Sequence, residues 1–457
     1  MPSDLASPAV PSSSDAAAVS ILSPQYRATT LGMVALVSLH AFEALAVAAA
    51  MPTVATALDG LRLYALAFGG TLATSVIGMT LAGRWSDQQG PARPLWLGLA
   101  CFIAGLLVAG LAQHMPVLVL GRLLQGLGAG AISVSLYVLV GRCYPEALRP
   151  RVFAAFSAGW VVPSLIGPAI SGLIVQHAGW RWVFLGVPLL ALPAAWLLRP
   201  ALRRVRPAAG AAPGNDAVVR WAAGAAIGAL LLYVGGQLGG PSAAAVLLPA
   251  LLLLAFCSWK LLPRGTLRLH HGLPSVIALR GIAASAFFGC EAFLPLLLQR
   301  ERGLSPLLAG VALSLGALGW FSGSWYQGHQ RGSWTRRQLL HAGALLMCAG
   351  IIATALVLQA SVPLWLALAG WTLTGLGMGL IYPSLSVLTL SLSPADQQGA
   401  NSSALQLSEA LAVATTLAVS GSLFAALLAH DVVLGYLLIF AIMLVLAALG
   451  VVVARRV

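Results

Sequence analysis

The chain has 457 residues, of which 59% are hydrophobic and only 8% charged, against about 25% charged in ordinary soluble domains, so a soluble globular fold is excluded. Fourteen membrane helices of about 20 residues each would occupy about three fifths of this length, matching the hydrophobic share. The net charge is +13, yet only one of the 25 basic residues is a lysine, Lys260, and most bases fall in short loops between apolar runs, the pattern of membrane topology rather than of a nucleic-acid surface.

The lone lysine follows Trp259, so no Gly-Lys pair is available for a P-loop and direct use of ATP is excluded. Five cysteines (Cys101, Cys143, Cys257, Cys290, Cys348) include no C-x-x-C pair, which argues against a disulfide framework or a zinc site. No metal and no other cofactor is expected.

In chain order, residues 1–27 are rich in Ser, Ala and Pro and lack a basic n-region and cleavage site. They read as a disordered cytoplasmic tail. Apolar runs bounded by charge, Pro or Gly then predict six spans near 28–52, 62–84, 94–113, 117–141, 151–176 and 180–198. A basic connector follows (Arg199, Arg203, Arg204, Arg206, Arg220), then a pair near 218–238 and 243–262, where Gly235, Gly236, Gly239 and Gly240 weaken the signal. Six more spans fall near 274–299, 305–327, 338–360, 363–391, 400–429 and 432–454. The expected fold is all-α and integral to the membrane, with a six-helix bundle over 28–198, a connector and inserted helix pair over 199–273, and a second bundle over 274–454.

Cytoplasmic loops carry an excess of Lys and Arg. The odd-numbered gaps hold four bases (Arg62, Arg181, Arg300, Arg302), whereas the termini and even-numbered gaps hold nineteen. Both ends are therefore expected in the cytoplasm of a multi-pass protein of the cell membrane, the inner membrane of a bacterium.

The halves repeat. Gly126 to Pro145 aligns with Gly375 to Pro394 at an offset of 249, with ten identities in twenty, and an offset of 248 aligns Glu43-Ala44 with Glu291-Ala292. Internal repeats of this kind are common in secondary transporters.

Four stretches carry a more specific signal: the loop Gly83-Arg84-Trp85-Ser86-Asp87-Gln88-Gln89-Gly90-Pro91-Ala92-Arg93; the run Arg122-Leu123-Leu124-Gln125-Gly126; the spacing of Gly159, Pro163, Gly167, Pro168 and Gly172 in the fifth span; and Glu43 nine residues before Pro52. Together they resemble the major facilitator superfamily, and more narrowly its drug:proton antiporters with fourteen helices. In that family the loop reads G-x-x-x-D-R-x-G-R with a basic end. Gly83, Asp87, Gly90 and Arg93 match it as a cytoplasmic gate, while Gln88, Pro91 and Ala92 depart. The R-x-x-x-G arginine, here Arg122, is implicated in proton transfer. The fifth-span pattern, with Ser171 in place of one glycine, is similar to the antiporter motif that accompanies export. Glu43 and Pro52 fit the acidic first-span motif, although Leu45 and Ala48 replace its Thr and Asn.

Only three of the twelve acids lie inside spans: Glu43, Glu291 and Glu409. A desolvated carboxyl holds its proton more readily than an exposed one, so these three, with Arg122, are the candidate proton-coupling groups. Arg280, near the cytoplasmic start of its span, is expected to snorkel to the interface. Trp160, Trp320, Trp371, Tyr137 and Tyr382 are candidates for lining a cavity. Trp371 stands at the position aligned with Arg122, so the second half lacks that charge.

The expected function is proton-driven export of small lipophilic or cationic compounds by alternating access, with a small-molecule substrate, protons and membrane lipids as partners, no nucleic acid, and a monomeric state. An exporter of a specific metabolite, lipid or siderophore has the same signature. A proton-coupled importer would use the same acids, but the fifth-span pattern argues against it. A non-transporting sensor on this fold would not need acids in both halves, and no arrangement of residues points to an enzyme.

Overall fold

The computed structural model describes residues 20–145, 148–204, 216–238, 240–329, 334–394, 398–428 and 430–457. The expected tail lies outside these residues up to position 19, and most of the basic connector, with Arg206, lies outside them too. Among the described residues the chain is helical throughout, with no strand.

The first six helices are α1 (Pro24–Ala57), α2 (Tyr64–Gln89), α3 (Ala92–Gly110), α4 (Met115–Cys143), α5 (Arg149–His177) and α6 (Arg181–Trp196). A short α7 (Arg199–Arg204) precedes the pair α8 (Asp216–Gln237) and α9 (Gly240–Leu261). The last six are α10 (Leu273–Arg300), α11 (Pro306–His329), α12 (Arg336–Ala355), α13 (Leu364–Ser391), α14 (Gln398–Leu427) and α15 (Val432–Val453). Thirteen of the described helices are long and apolar enough to cross a membrane. The exceptions are the six-residue α7 and α6, with 16 residues, Pro188 and Pro193 inside it, and a turn at 197–198 before α7. At 1.5 Å per residue α6 is about 24 Å long, short of a hydrocarbon core about 30 Å thick.

The packing repeats as the sequence does. In the first half α4 packs on α2 and α3 while α1 packs on α5; in the second α13 packs on α11 and α12 while α10 packs on α14. Shared glycines set the closest approaches. A Cβ at Gly126 would lie 2.1 Å from the Thr71 carbonyl oxygen of α2, and one at the aligned Gly375 would lie 2.0 Å from that of Gly316 in α11. Neither backbone could come so near a larger residue.

Helix α8 fills the seam between the halves, against α2 and α14. Tyr233 donates to the Ala65 carbonyl at 3.2 Å, and Ser422 donates to the Leu232 carbonyl at 2.8 Å. Helix α9 packs mainly on α8.

Across the seam α5 meets α11 and α2 meets α14. These contacts gather at the end of the bundle opposite the termini. There Thr53 donates to the Gln299 side chain at 3.3 Å and Tyr64 donates to the Ala292 carbonyl at 2.6 Å. Tyr137, near the end of α4 on the side of the termini, stays 45% exposed.

Candidate functional site

Glu43 sits midway along α1 and is buried. Its Oε1 accepts from Arg122 Nη1 and, at 3.1 Å, from Gln125 Nε2. Arg122 also donates through Nε to the Ala67 carbonyl of α2 at 3.0 Å and to Gln125 Oε1 at 3.1 Å. The ion pair thus ties α1, α2 and α4 together with both side chains 5% exposed or less. A charge in a membrane interior costs at least about 2.5 kcal/mol, and opposite charge with several hydrogen bonds is how such burial is sustained. Gln125, one helical turn after Arg122, escapes a reading that looks only for charge, although it belongs to the same motif.

The second half builds a different pair. Arg280 does not snorkel: it is 5% exposed and donates through Nε to Glu409 Oε2 at 2.7 Å. Its position near the start of α10 suggested an interfacial base, but α14 brings a carboxylate to it. Tyr382 donates to Glu409 at 2.8 Å, and the Arg280 guanidinium lies over the Tyr382 ring with Cζ 3.1 Å from the centroid. Trp320 packs edge-on against Tyr382 at 4.9 Å between centroids. Tyr137, from α4 of the first half, lies within electrostatic reach of both Arg280 and Glu409.

Glu291 is the acid without a partner. It makes no hydrogen bond or ion pair among the described residues and is only partly buried. Of the three acids, two are held by arginine and one is not.

Trp371 does not line open space. It is 1% exposed, stacks on Phe287 at 4.8 Å and donates its indole N–H to the Leu313 carbonyl at 3.2 Å. Its large apolar body fills the place that Arg122 fills in the first half. Trp160 instead stands edge-on to His40 at 5.8 Å. His40 lies one turn before Glu43, also contacts Phe102, and leaves its Nδ1 buried without a hydrogen bond. Nothing in the sequence around His40 marked it out.

Helix α5 carries the expected motif as one continuous helix with Pro163 and Pro168 inside it. One side faces α1, where Gly159 lies against Ser38, Gly167 against Phe42, and Ser171 donates to the Ala46 carbonyl at 2.6 Å. The other side faces α11, where a Cβ on Gly172 would lie 2.6 Å from Leu307 Cα. The motif helix is the joint between the acid-bearing α1 and the opposite half.

In the expected gate loop, Gly90 takes a positive φ of 85° that glycine adopts without strain. Arg93 donates to Gln89 at 2.7 Å, and Arg142 donates to the Ser86 carbonyl at 2.8 Å, joining α2 to the end of α4. Gly83 stands on α2, its nearest neighbour a methyl of Val134 at 3.9 Å. The side chain of Asp87 lies outside the described residues. The described residues contain no group of His, Cys, Asp or Glu fit to hold a metal ion.

The family model of the Major Facilitator Superfamily matches residues 31–417. A probable multidrug-efflux transporter of Mycobacterium tuberculosis is 29% identical over 405 residues, covering 82% of this chain and 83% of that protein. Multidrug resistance protein 3 of Bacillus subtilis is 28% identical over 170 residues, 37% of this chain and 33% of that one. Among solved structures, an auto-inhibited POT family peptide transporter superposes with a TM-score of 0.69 at 18% identity, covering 93% of this chain and 97% of that one. A D-xylose-proton symporter superposes with a TM-score of 0.67 at 15% identity, covering 94% and 96%.

Proposed function

The chain belongs to the Major Facilitator Superfamily, a multi-pass membrane transporter and not an enzyme, and from that premise we propose that it is a proton-driven exporter of small lipophilic or cationic compounds. The observation that carries this reading is the buried pair of Glu43 and Arg122, which joins three helices and stands next to the α5 joint. Protonating Glu43 would leave Arg122 buried without its counter-charge, and breaking one partner of such a pair costs about 3–5 kcal/mol. The protonated and ionised forms would therefore favour different helix arrangements, which is what coupling requires. For a neutral substrate exchanged for one proton, one charge moving through about 100 mV supplies about 2.3 kcal/mol, enough for a substrate gradient of about fiftyfold at 1.36 kcal/mol per decade.

Glu291, unpaired, and Glu409, held by Arg280, are the further proton-carrying candidates. The fifth-helix pattern and the multidrug-efflux relatives support export over import. We further propose fourteen spans with α6 among them, the division at residues 28–198, 199–273 and 274–454, and cytoplasmic termini in a bacterial inner membrane, with nineteen basic residues at that side against four supporting the orientation. With that orientation the seam contacts of Thr53 with Gln299 and of Tyr64 with Ala292 lie on the outer side. The protein is proposed to work as a monomer.

The test is reconstitution into liposomes with an imposed pH gradient and a fluorescent lipophilic cation. The expected result is uphill substrate movement against the proton flow, lost in one or more of Glu43→Gln, Glu291→Gln and Glu409→Gln. Movement that ignores the gradient in the wild type would reject the proton coupling.

A further inference from the structure

Arg280 is a buried cation whose donors are only partly used. An arginine carries five N–H donors. Nε is bound to Glu409, Nη1 reaches Ser386 Oγ only at 3.4 Å, and the guanidinium also interacts with Tyr382. The Tyr382 ring beneath the guanidinium holds its plane. What remains is the pair of Nη groups, a planar fork of the shape that binds a carboxylate through two parallel hydrogen bonds.

The neighbouring acid is committed. Glu409 accepts from Arg280 on one oxygen and from Tyr382 on both. With its charge offset by Arg280, it is a weak attractor for a cation. The surrounding walls are aromatic: Trp320 packs on Tyr382 and on Phe287, and Tyr137 of the other half lies within electrostatic reach of the pair. The cluster therefore lies at the seam between the halves.

We propose that Arg280, Tyr382 and Trp320 form an anion subsite for small aromatic carboxylates, the carboxylate taking the Nη edge of Arg280 and the ring packing on Trp320 and Tyr382. This rests on the transport reading above and adds aromatic carboxylates to the lipophilic compounds it covers. The energetics agree with export. A monoanion leaving in exchange for one entering proton moves two charges along an inside-negative potential, whereas a cation exchanged one for one moves none.

The test uses two probes with the same ring and opposite charge, 1-pyrenecarboxylate and 1-pyrenemethylammonium, binding to the purified protein by pyrene fluorescence. The wild type is expected to bind the carboxylate at least tenfold more tightly. Arg280→Met combined with Glu409→Gln removes both charges and leaves neither buried alone; it is expected to weaken carboxylate binding at least tenfold. Arg280→Lys keeps the charge but loses the fork, and an intermediate loss is expected; if the double variant does not fold by thermal unfolding and size-exclusion elution, this variant and the wild-type preference decide. Equal or tighter binding of the ammonium probe by the wild type, or carboxylate affinity unchanged in the folded variants, would overturn the proposal. Proton-driven flux of the ammonium probe without carboxylate binding would reject the subsite and leave the transport reading standing. Arg280-dependent carboxylate binding without gradient-driven flux of either probe would do the reverse.

Discussion

Arg122 and Trp371 stand at the same place in the two halves, 249 positions apart, and each sends an N–H to a backbone carbonyl of the adjacent helix: Arg122 to Ala67 of α2 at 3.0 Å, Trp371 to Leu313 of α11 at 3.2 Å. The scaffold role is shared while the charge is not. Arg122 has nitrogens left over for Glu43, whereas Trp371 has none and closes its side with ring packing on Phe287.

That difference predicts unequal consequences of substitution. Trp371→Phe keeps the ring and loses one hydrogen bond, a loss of about 1 kcal/mol in stability, with gradient-driven transport retained. Arg122→Lys keeps the charge but cannot reach α2, Gln125 and Glu43 together, and is expected to abolish uphill transport. Thermal unfolding in detergent and flux in liposomes read the two effects separately.

Glu43→Gln should destabilise the protein by about 3–5 kcal/mol, because it leaves Arg122 buried without a counter-charge. Adding Arg122→Gln should restore most of that stability without restoring proton coupling. Thermal unfolding of the single and double variants checks this; equal instability of both would mean that the pair is not what holds α1 to α4.

Among the described residues Glu291 has no partner to orphan. Glu291→Gln should therefore cost much less stability than Glu43→Gln. If Glu291 carries the proton, uphill flux is lost while downhill counterflow of substrate persists. Loss of both would point instead to a damaged fold or a damaged substrate site.

Gly172 is where α5 meets α11. Gly172→Ala places a methyl 2.6 Å from Leu307 Cα, far inside van der Waals contact, so the closed end must loosen. Thr53, bonded to Gln299 at that end, reports it. A Thr53→Cys probe should react faster with a membrane-impermeant thiol reagent in the Gly172→Ala background, and an unchanged rate would show that α5 and α11 do not hold that end shut.

The order of the helices was readable from apolar runs because a bilayer demands about 20 apolar residues per span, and the inserted pair was found at Asp216–Gln237 and Gly240–Leu261. The repeat was readable because its glycines are fixed by backbone approach: Gly126 and Gly375 could not be replaced without moving a helix. Span six, read at 180–198, is the helix Arg181–Trp196, which ends in a turn at 197–198. Hydropathy follows composition and does not register where a helix ends.

By itself the sequence determined that this chain spans a membrane many times, that its halves are related, and that three acids lie within the apolar segments, since each of these is a local or periodic property of composition. Only the tertiary structure decided which charges meet. Glu43 and Arg122 are 79 positions apart and Arg280 and Glu409 are 129 apart; no spacing rule links them, because helix packing alone sets which side chains face one another. For the same reason a base that looked interfacial proved buried and paired, a tryptophan that looked like cavity lining proved to be packing, and Glu291 alone of the three acids has no partner among the described residues.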